Sequence, residues 1–313
     1  MYEADDSGEI VMTRMWIALA LAGLCVGSSG AWAESAQMRG KFPANVREAD
    51  LLENVVVDRF NGRDARQVEA ALEQAIGVPA GRPDGVLSGG VTTGAEESKY
   101  QGKEERCVEW KDGKQDGTCT KRAKVDVPCF RRVINLTISV RLLRVADNMP
   151  VWSDNKPSRD ETTWCQGKAP WRTTEEAVSA MITDLAQKIR LDVRPRWETY
   201  KVRFREDRDG MPKDIGNEFK EIVKLSNRDV TSACRQWAEL NGRLPNHPSV
   251  LYDLGVCAEA TGRYADAQSF YRSAQAALPK RSSEMVESAD RVARLMIARA
   301  DDEERARRPG NPR

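Results

Sequence analysis

Two hydrophobic periods divide the chain. Between residues 54 and 205 apolar positions recur mainly every second residue, interrupted by two stripes at helical spacing. Beyond residue 218 only the helical spacing remains. Ile134, Leu136, Ile138, Val140 and Leu142 alternate with Asn135, Thr137, Ser139 and Arg141, which predicts a strand with one packed and one solvated face. Residues 54–60 and 85–91 predict two more strands. A last one is expected where Tyr200, Val202 and Phe204 alternate with Lys201, Arg203 and Arg205. Val68, Ala71, Leu72, Ala75 and Ile76 predict a helix opened by Asp64 and stopped at Gly77. Val178, Met181, Ile182, Leu185 and Ile189 predict a second, begun by a capping box of Thr173 and Glu176. Residues 92–121 are polar and turn-rich and predict a long hairpin excursion, and 154–169 predict a loop. This order predicts an α+β domain, a partly antiparallel sheet with helices on one face.

Residues 248–279 predict a pair of helices joined at Thr261-Gly262-Arg263 and closed by Pro279. Leu251, Leu254, Gly255 and Ala258 share one face, and Ala267, Tyr271 and Ala274 the facing one. Ala233, Trp237 and Pro245 precede Ala267, Tyr271 and Pro279 by the same 34 residues. That pattern resembles a tetratricopeptide repeat, whose period is about 34 residues. Its predecessor is degenerate, with a weakly patterned first helix near 219–225, and 283–300 predict a final capping helix. The fold expected is thus α+β followed by an all-α, tetratricopeptide-like helical hairpin domain. The resemblance implies a groove lined by the first helix of each repeat. Tyr252, Val256 and Glu259 lie off the packing face at i, i+4, i+7 and are the candidate partner-binding residues for a peptide. The competing expectation is that they contact a neighbouring hairpin or are merely exposed.

Residues 15–26 are apolar, follow Arg14 and precede Ala31-Trp32-Ala33, the pattern of a cleavable secretory signal. The run is shorter than the roughly 20 residues a membrane span needs. Glu3, Asp5, Asp6 and Glu9 do not suit such a leader, so the start is expected at Met12 or Met15. The division expected is a signal peptide over 1–33, a flexible leader over 34–50 and the α+β domain over 51–205. A linker over 206–217, the helical domain over 218–300 and a disordered tail over 301–313 complete it. The mature chain is expected in the periplasm or secreted. An outer-membrane lipoprotein anchored at Cys25 is the alternative, although Leu24 stands where a lipobox needs a small residue.

Cleavage after Ala33 leaves 48 basic against 44 acidic residues, too slight a bias to predict a nucleic-acid partner. It also leaves Cys107, Cys119, Cys129, Cys165, Cys234 and Cys257, an even number that in an exported chain reads as disulfides. Cys107 and Cys119 flank the turn-rich 112–117, and Cys234 and Cys257 fall on adjacent predicted helices, which leaves Cys129 with Cys165. No catalytic set, cofactor or metal site is predicted. His247 is the only histidine, and the chain has no Cys-x-x-Cys pair, nucleophile elbow or phosphate loop. Trp152, Trp164 and Trp171 surround Cys165 and are expected to cover a disulfide. As a stacking face for sugars they would instead bring peptidoglycan contact.

The order of elements over 55–60, the helix to Ile76, 85–91, 136–152 and the helix to Ile189 resembles a domain of bacterial envelope proteins. It is shared by the curli secretion channel, the amino-terminal domain of TolB and the lipoprotein activators of penicillin-binding proteins. Asn148-Met149-Pro150 departs from the Thr-Gly turn of such domains, and the cysteine-bearing excursion 107–129 has no counterpart in them. No long apolar alternating hairpin is present, so a membrane pore is not implied. The resemblance implies a non-enzymatic exported adaptor or scaffold of the cell envelope. It would bind protein partners through the helical domain and an envelope assembly through the α+β domain. Regulation of a peptidoglycan synthase, or an envelope hydrolase, are the alternatives.

Overall fold

The structure is a computed structural model that describes residues 35–111, 113 and 117–307. The expected signal peptide, the lipid-anchor alternative at Cys25 and the last residues of the tail lie outside the described residues. Six strands and eight helices follow one another among the described residues. β1 (Ser35–Phe42) and α1 (Arg47–Asp50) come first, then β2 (Val55–Asn61) and α2 (Ala65–Ile76). β3 (Gly85–Trp110), β4 (Cys119–Arg144) and β5 (Met149–Cys165) lead to α3 (Thr174–Val193) and β6 (Arg196–Arg203). Five helices complete the chain: α4 (Lys213–Ser226), α5 (Val230–Arg243), α6 (Pro248–Ala260), α7 (Tyr264–Ala276) and α8 (Ser283–Arg307).

The fold is α+β, as the periodicity predicted. Strands β2, β3, β4 and β5 lie side by side in that order, with β2 parallel to β3 and the others antiparallel. The even-numbered run Ile134–Leu142 of β4 meets α2 and α3 in one core with Val68, Leu72, Met181, Ile182, Leu185 and Ile189. Both helices cover the same sheet face. The Thr173–Glu176 capping box is present in full, satisfying two orphan donors at the start of α3. Gly62 turns the chain from β2 into α2 with φ +119°, and a Cβ there would lie 2.1 Å from the Val91 carbonyl oxygen.

Four expectations are corrected. The supposed flexible leader 34–50 contains β1, which pairs antiparallel with β6 along its whole length, and α1. Ala36 and Met38 of β1 and Val202 of β6 enter the core of α4–α7, so this ribbon belongs with the helices and not with the larger sheet. The supposed loop 154–169 is mostly β5, a strand of charged and polar residues paired with β4 from Cys165 to Met149. It sits at an edge, where few side chains are buried and backbone pairing supplies the order that apolar alternation would otherwise signal. The weak helix near 219–225 is a full helix, α4, which buries Phe219, Ile222 and Val223. Finally, residues 301–307 of the supposed tail continue α8, held at its end by Asp301 against Arg47 (3.0 Å) and by Arg305 against Asp50 (3.6 Å).

The three disulfides are Cys107–Cys119, Cys129–Cys165 and Cys234–Cys257. They cross-link β3 to β4, β4 to β5, and α5 to α6. None of the described helices is long and apolar enough to cross a membrane.

Asp253 of α6 is fully buried, and one of its carboxylate oxygens accepts the Arg205 backbone N–H at 2.8 Å while the other has no partner. Burial pushes its carboxyl well above the usual range, against the pull of the Arg205 hydrogen bond and charge. A raised folded-state value means that ionising Asp253 costs stability, which is lost as pH rises from the unfolded value through the folded one. Asp253→Asn keeps the acceptor and removes that charge. It is expected to raise the urea midpoint at alkaline pH, with the gain over wild type shrinking as pH falls; a gain independent of pH would refute this.

Candidate functional site

The predicted groove residues sit on α6, whose first turn is set by His247. Its Nδ1 accepts the Ser249 N–H at 3.3 Å, so the proton lies on Nε2, which donates to the Asp209 carbonyl oxygen at 3.0 Å. The only histidine is therefore a buried helix cap. From there α6 runs through the middle of the helical core, with every residue from Ser249 to Glu259 buried. It packs on α7 closely enough that a Cβ on Gly255 would fall 2.5 Å from the Tyr271 ring. Gly255 thus leaves the space that seats an aromatic ring of the facing helix.

Tyr252, Val256 and Glu259 are all buried, with exposures of 1%, 0% and 2%, so they line no open groove. The Tyr252 hydroxyl bonds Ser288 of α8 at 3.2 Å, and its ring tilts against Tyr271 with centroids 5.2 Å apart. Glu259 is the centre of a closed network. Its two oxygens accept from Tyr200 of β6 (2.9 Å), from Tyr271 of α7 (2.6 Å) and from Nε and Nη2 of Arg291 of α8 (2.7 and 2.8 Å). Burial and the Glu259 charge both raise the two tyrosine hydroxyls above their usual range. Burial works against the Arg291 cation, yet its hydrogen bonds to Glu259 and the pair's attraction outweigh that and hold it above its usual range. The face that would have received a peptide is closed by the protein's own β6 and α8. Of the two alternatives, simple exposure does not occur, and the side-chain bonds go to α7, α8 and β6.

The three tryptophans do not share one platform. Trp164 stacks on Phe130, with centroids 5.6 Å apart and 16° between planes, and Arg132 lies 5.9 Å from its centroid. Trp152 packs against the sheet core. Trp171 alone is open, 73% exposed, with the Arg172 guanidinium 4.1 Å from its ring. The nearby carboxylates are engaged, Asp160 by Arg172 and Glu161 by Arg131 and Arg159. Arg132 is buried and donates to Thr174 Oγ1 and to the Arg172 carbonyl oxygen, so this corner is tied to the start of α3.

The polar excursion 92–121 offers a different surface. β5 covers β4 only as far as Cys129, and β2 covers β3 only as far as Gly90. Beyond those points residues 101–110 and 119–128 pair with each other alone. At roughly 3.3 Å per residue this arm reaches about 30 Å past the shared sheet. A two-stranded ribbon is marginal by itself in water, and this one is cross-linked near its tip by Cys107–Cys119 and at its base by Cys129–Cys165. A brace follows β5: the Gln166 N–H donates to the Pro128 carbonyl oxygen, Arg106 donates to the Gln166 carbonyl oxygen, and Lys168 pairs with Glu104 at 2.7 Å. Ala123 and Val125 are half-buried, whereas Lys103, Glu105, Arg122 and Lys124 are exposed. The sequence shows the excursion and its disulfide but not its continuous ladder, which pairs charged residues. The alternation of Ala123, Val125 and Val127 was the one visible sign of it.

No protein-family model matches the chain, and no curated protein matches it. Among solved structures it is similar to PelC from Paraburkholderia phytofirmans, a dodecamer, at 17% identity over 51% of this chain and 98% of that one, with a TM-score of 0.23. A lipoprotein candidate from Caulobacter crescentus is similar at 16% identity over 48% and 93% of the two chains, with a TM-score of 0.26. A minor lipoprotein from Acinetobacter baumannii is similar at 11% identity over 45% and 90%, with a TM-score of 0.24.

Proposed function

We propose that the protein is a non-enzymatic, exported adaptor of the bacterial cell envelope whose partner-binding element is the disulfide-stapled arm of β3 and β4. Export is supported by the signal pattern of residues 15–26 and by three disulfides, which persist in oxidising compartments. The observation that carries the reading is the arm itself. A paired, cross-linked ribbon with open backbone edges, charged side chains and little core to serve offers strand addition to a partner. The tetratricopeptide-like helices supply the body on which β1 and β6 are mounted, and their first-helix face is occupied from within.

Deleting residues 102–127 and closing the hairpin with a short turn removes Cys107 and Cys119 together and leaves both hydrophobic cores in place. Pull-down from a periplasmic extract is expected to lose its captured protein with this variant. Unchanged capture would remove the arm from the account.

A further inference from the structure

The ribbon of β1 and β6 has two unlike faces. Inward, Ala36, Met38 and Val202 are buried in the helical core. Outward, the antiparallel register pairs Lys41 with Trp197, Arg39 with Thr199, Gln37 with Lys201 and Ser35 with Arg203. Those eight outward positions include four cations and no acid. Lys41 is held by Asp302 of α8. Arg39 lies over the Trp197 ring, 5.0 Å from its centroid. Lys201 and Arg203 form no ion pair among the described residues. Trp197 is 60% exposed, far from the usual state of an indole in a folded chain.

We propose that this outward face rests on an anionic lipid bilayer. Three cations available on one face of the ribbon match a negatively charged headgroup layer, where each is worth about 1 kcal/mol, or roughly five-fold in partitioning. An exposed indole beside them suits the boundary between headgroups and acyl chains. This surface is independent of the arm and of whatever the arm binds.

The test uses the chain from Glu34, which retains both cores and all three disulfides. It is floated with vesicles of phosphatidylcholine alone and of phosphatidylcholine with phosphatidylglycerol. Flotation is expected only with the anionic vesicles and is expected to fall as salt is raised. Arg39→Gln combined with Lys201→Gln and Arg203→Gln should weaken it at least about ten-fold while leaving the urea midpoint unchanged; Lys201→Gln and Arg203→Gln singly serve if the triple variant unfolds. Trp197→Ala should lower flotation further. No flotation, equal flotation of the charge variants, or binding to soluble polygalacturonate in place of vesicles would each overturn the proposal.

Discussion

Glu259→Ala is expected to destabilise the protein by about 3–5 kcal/mol in urea unfolding, the cost of leaving a buried cation without its counter-charge. The side chain is fully buried and serves Tyr200, Tyr271 and Arg291 together. Removing it orphans two hydroxyls and a guanidinium whose side chain is only 21% exposed. Glu259→Gln retains an acceptor and should cost less. Adding Arg291→Ala to Glu259→Ala should recover part of the loss, because the unpaired charge goes with it. The structural consequence is specific. This carboxylate ties β6, α7 and α8 to α6, so amides of the β1–β6 ribbon should lose hydrogen-exchange protection while β3 and β4 keep theirs. A loss below about 1 kcal/mol, the value of an exposed pair, would show that the network is not closed to water.

Trp237→Ala is expected to cost about 3–5 kcal/mol as well, here by emptying a cavity. Trp237 of α5 is fully buried, and its ring lies 4.7 Å from that of Phe204, the residue that follows β6. This contact seats the chain leaving the ribbon onto the helices. The indole nitrogen has no hydrogen-bond partner, so Trp237→Phe removes an unsatisfied donor along with volume and should cost distinctly less than alanine. Equal losses for the two substitutions would contradict an apolar packing role.

What could be read in the sequence was whatever packs through a regular apolar face. The central strand 134–142, the stripes of α2 and α3, and the hairpin of α6 and α7 all carry such a face, and the structure places them accordingly. The pairing of all six cysteines was also legible, because each pair bridges neighbouring elements. The rest depended on contacts distant in sequence. β5 is an edge strand whose inward positions include Asp154, Lys156 and Asp160 beside Trp152, so its pattern looks like that of a loop. β1 is ordered by β6, far along the chain, and nothing within 35–42 announces that partner.

The same reason explains the candidate site. Tyr252, Val256 and Glu259 have the spacing of a groove, and only the return of β6 and α8 over them turns it into core. Glu259 could have given warning: a carboxylate at a position otherwise lined by apolar residues needs a partner when it is buried. Two tyrosines and an arginine 59, 12 and 32 residues away supply it.

The central claim is that partners meet the arm and not the helical domain. The direct measurement is photo-crosslinking in living cells, with a benzophenone amino acid placed in turn at Lys103 and Lys124 of the arm and at the exposed Arg272 and Glu287 on α7 and α8. All four are surface positions outside both hydrophobic cores. The account predicts a protein adduct from the two arm positions, and none from the helical pair. An adduct from the helical positions alone would contradict it.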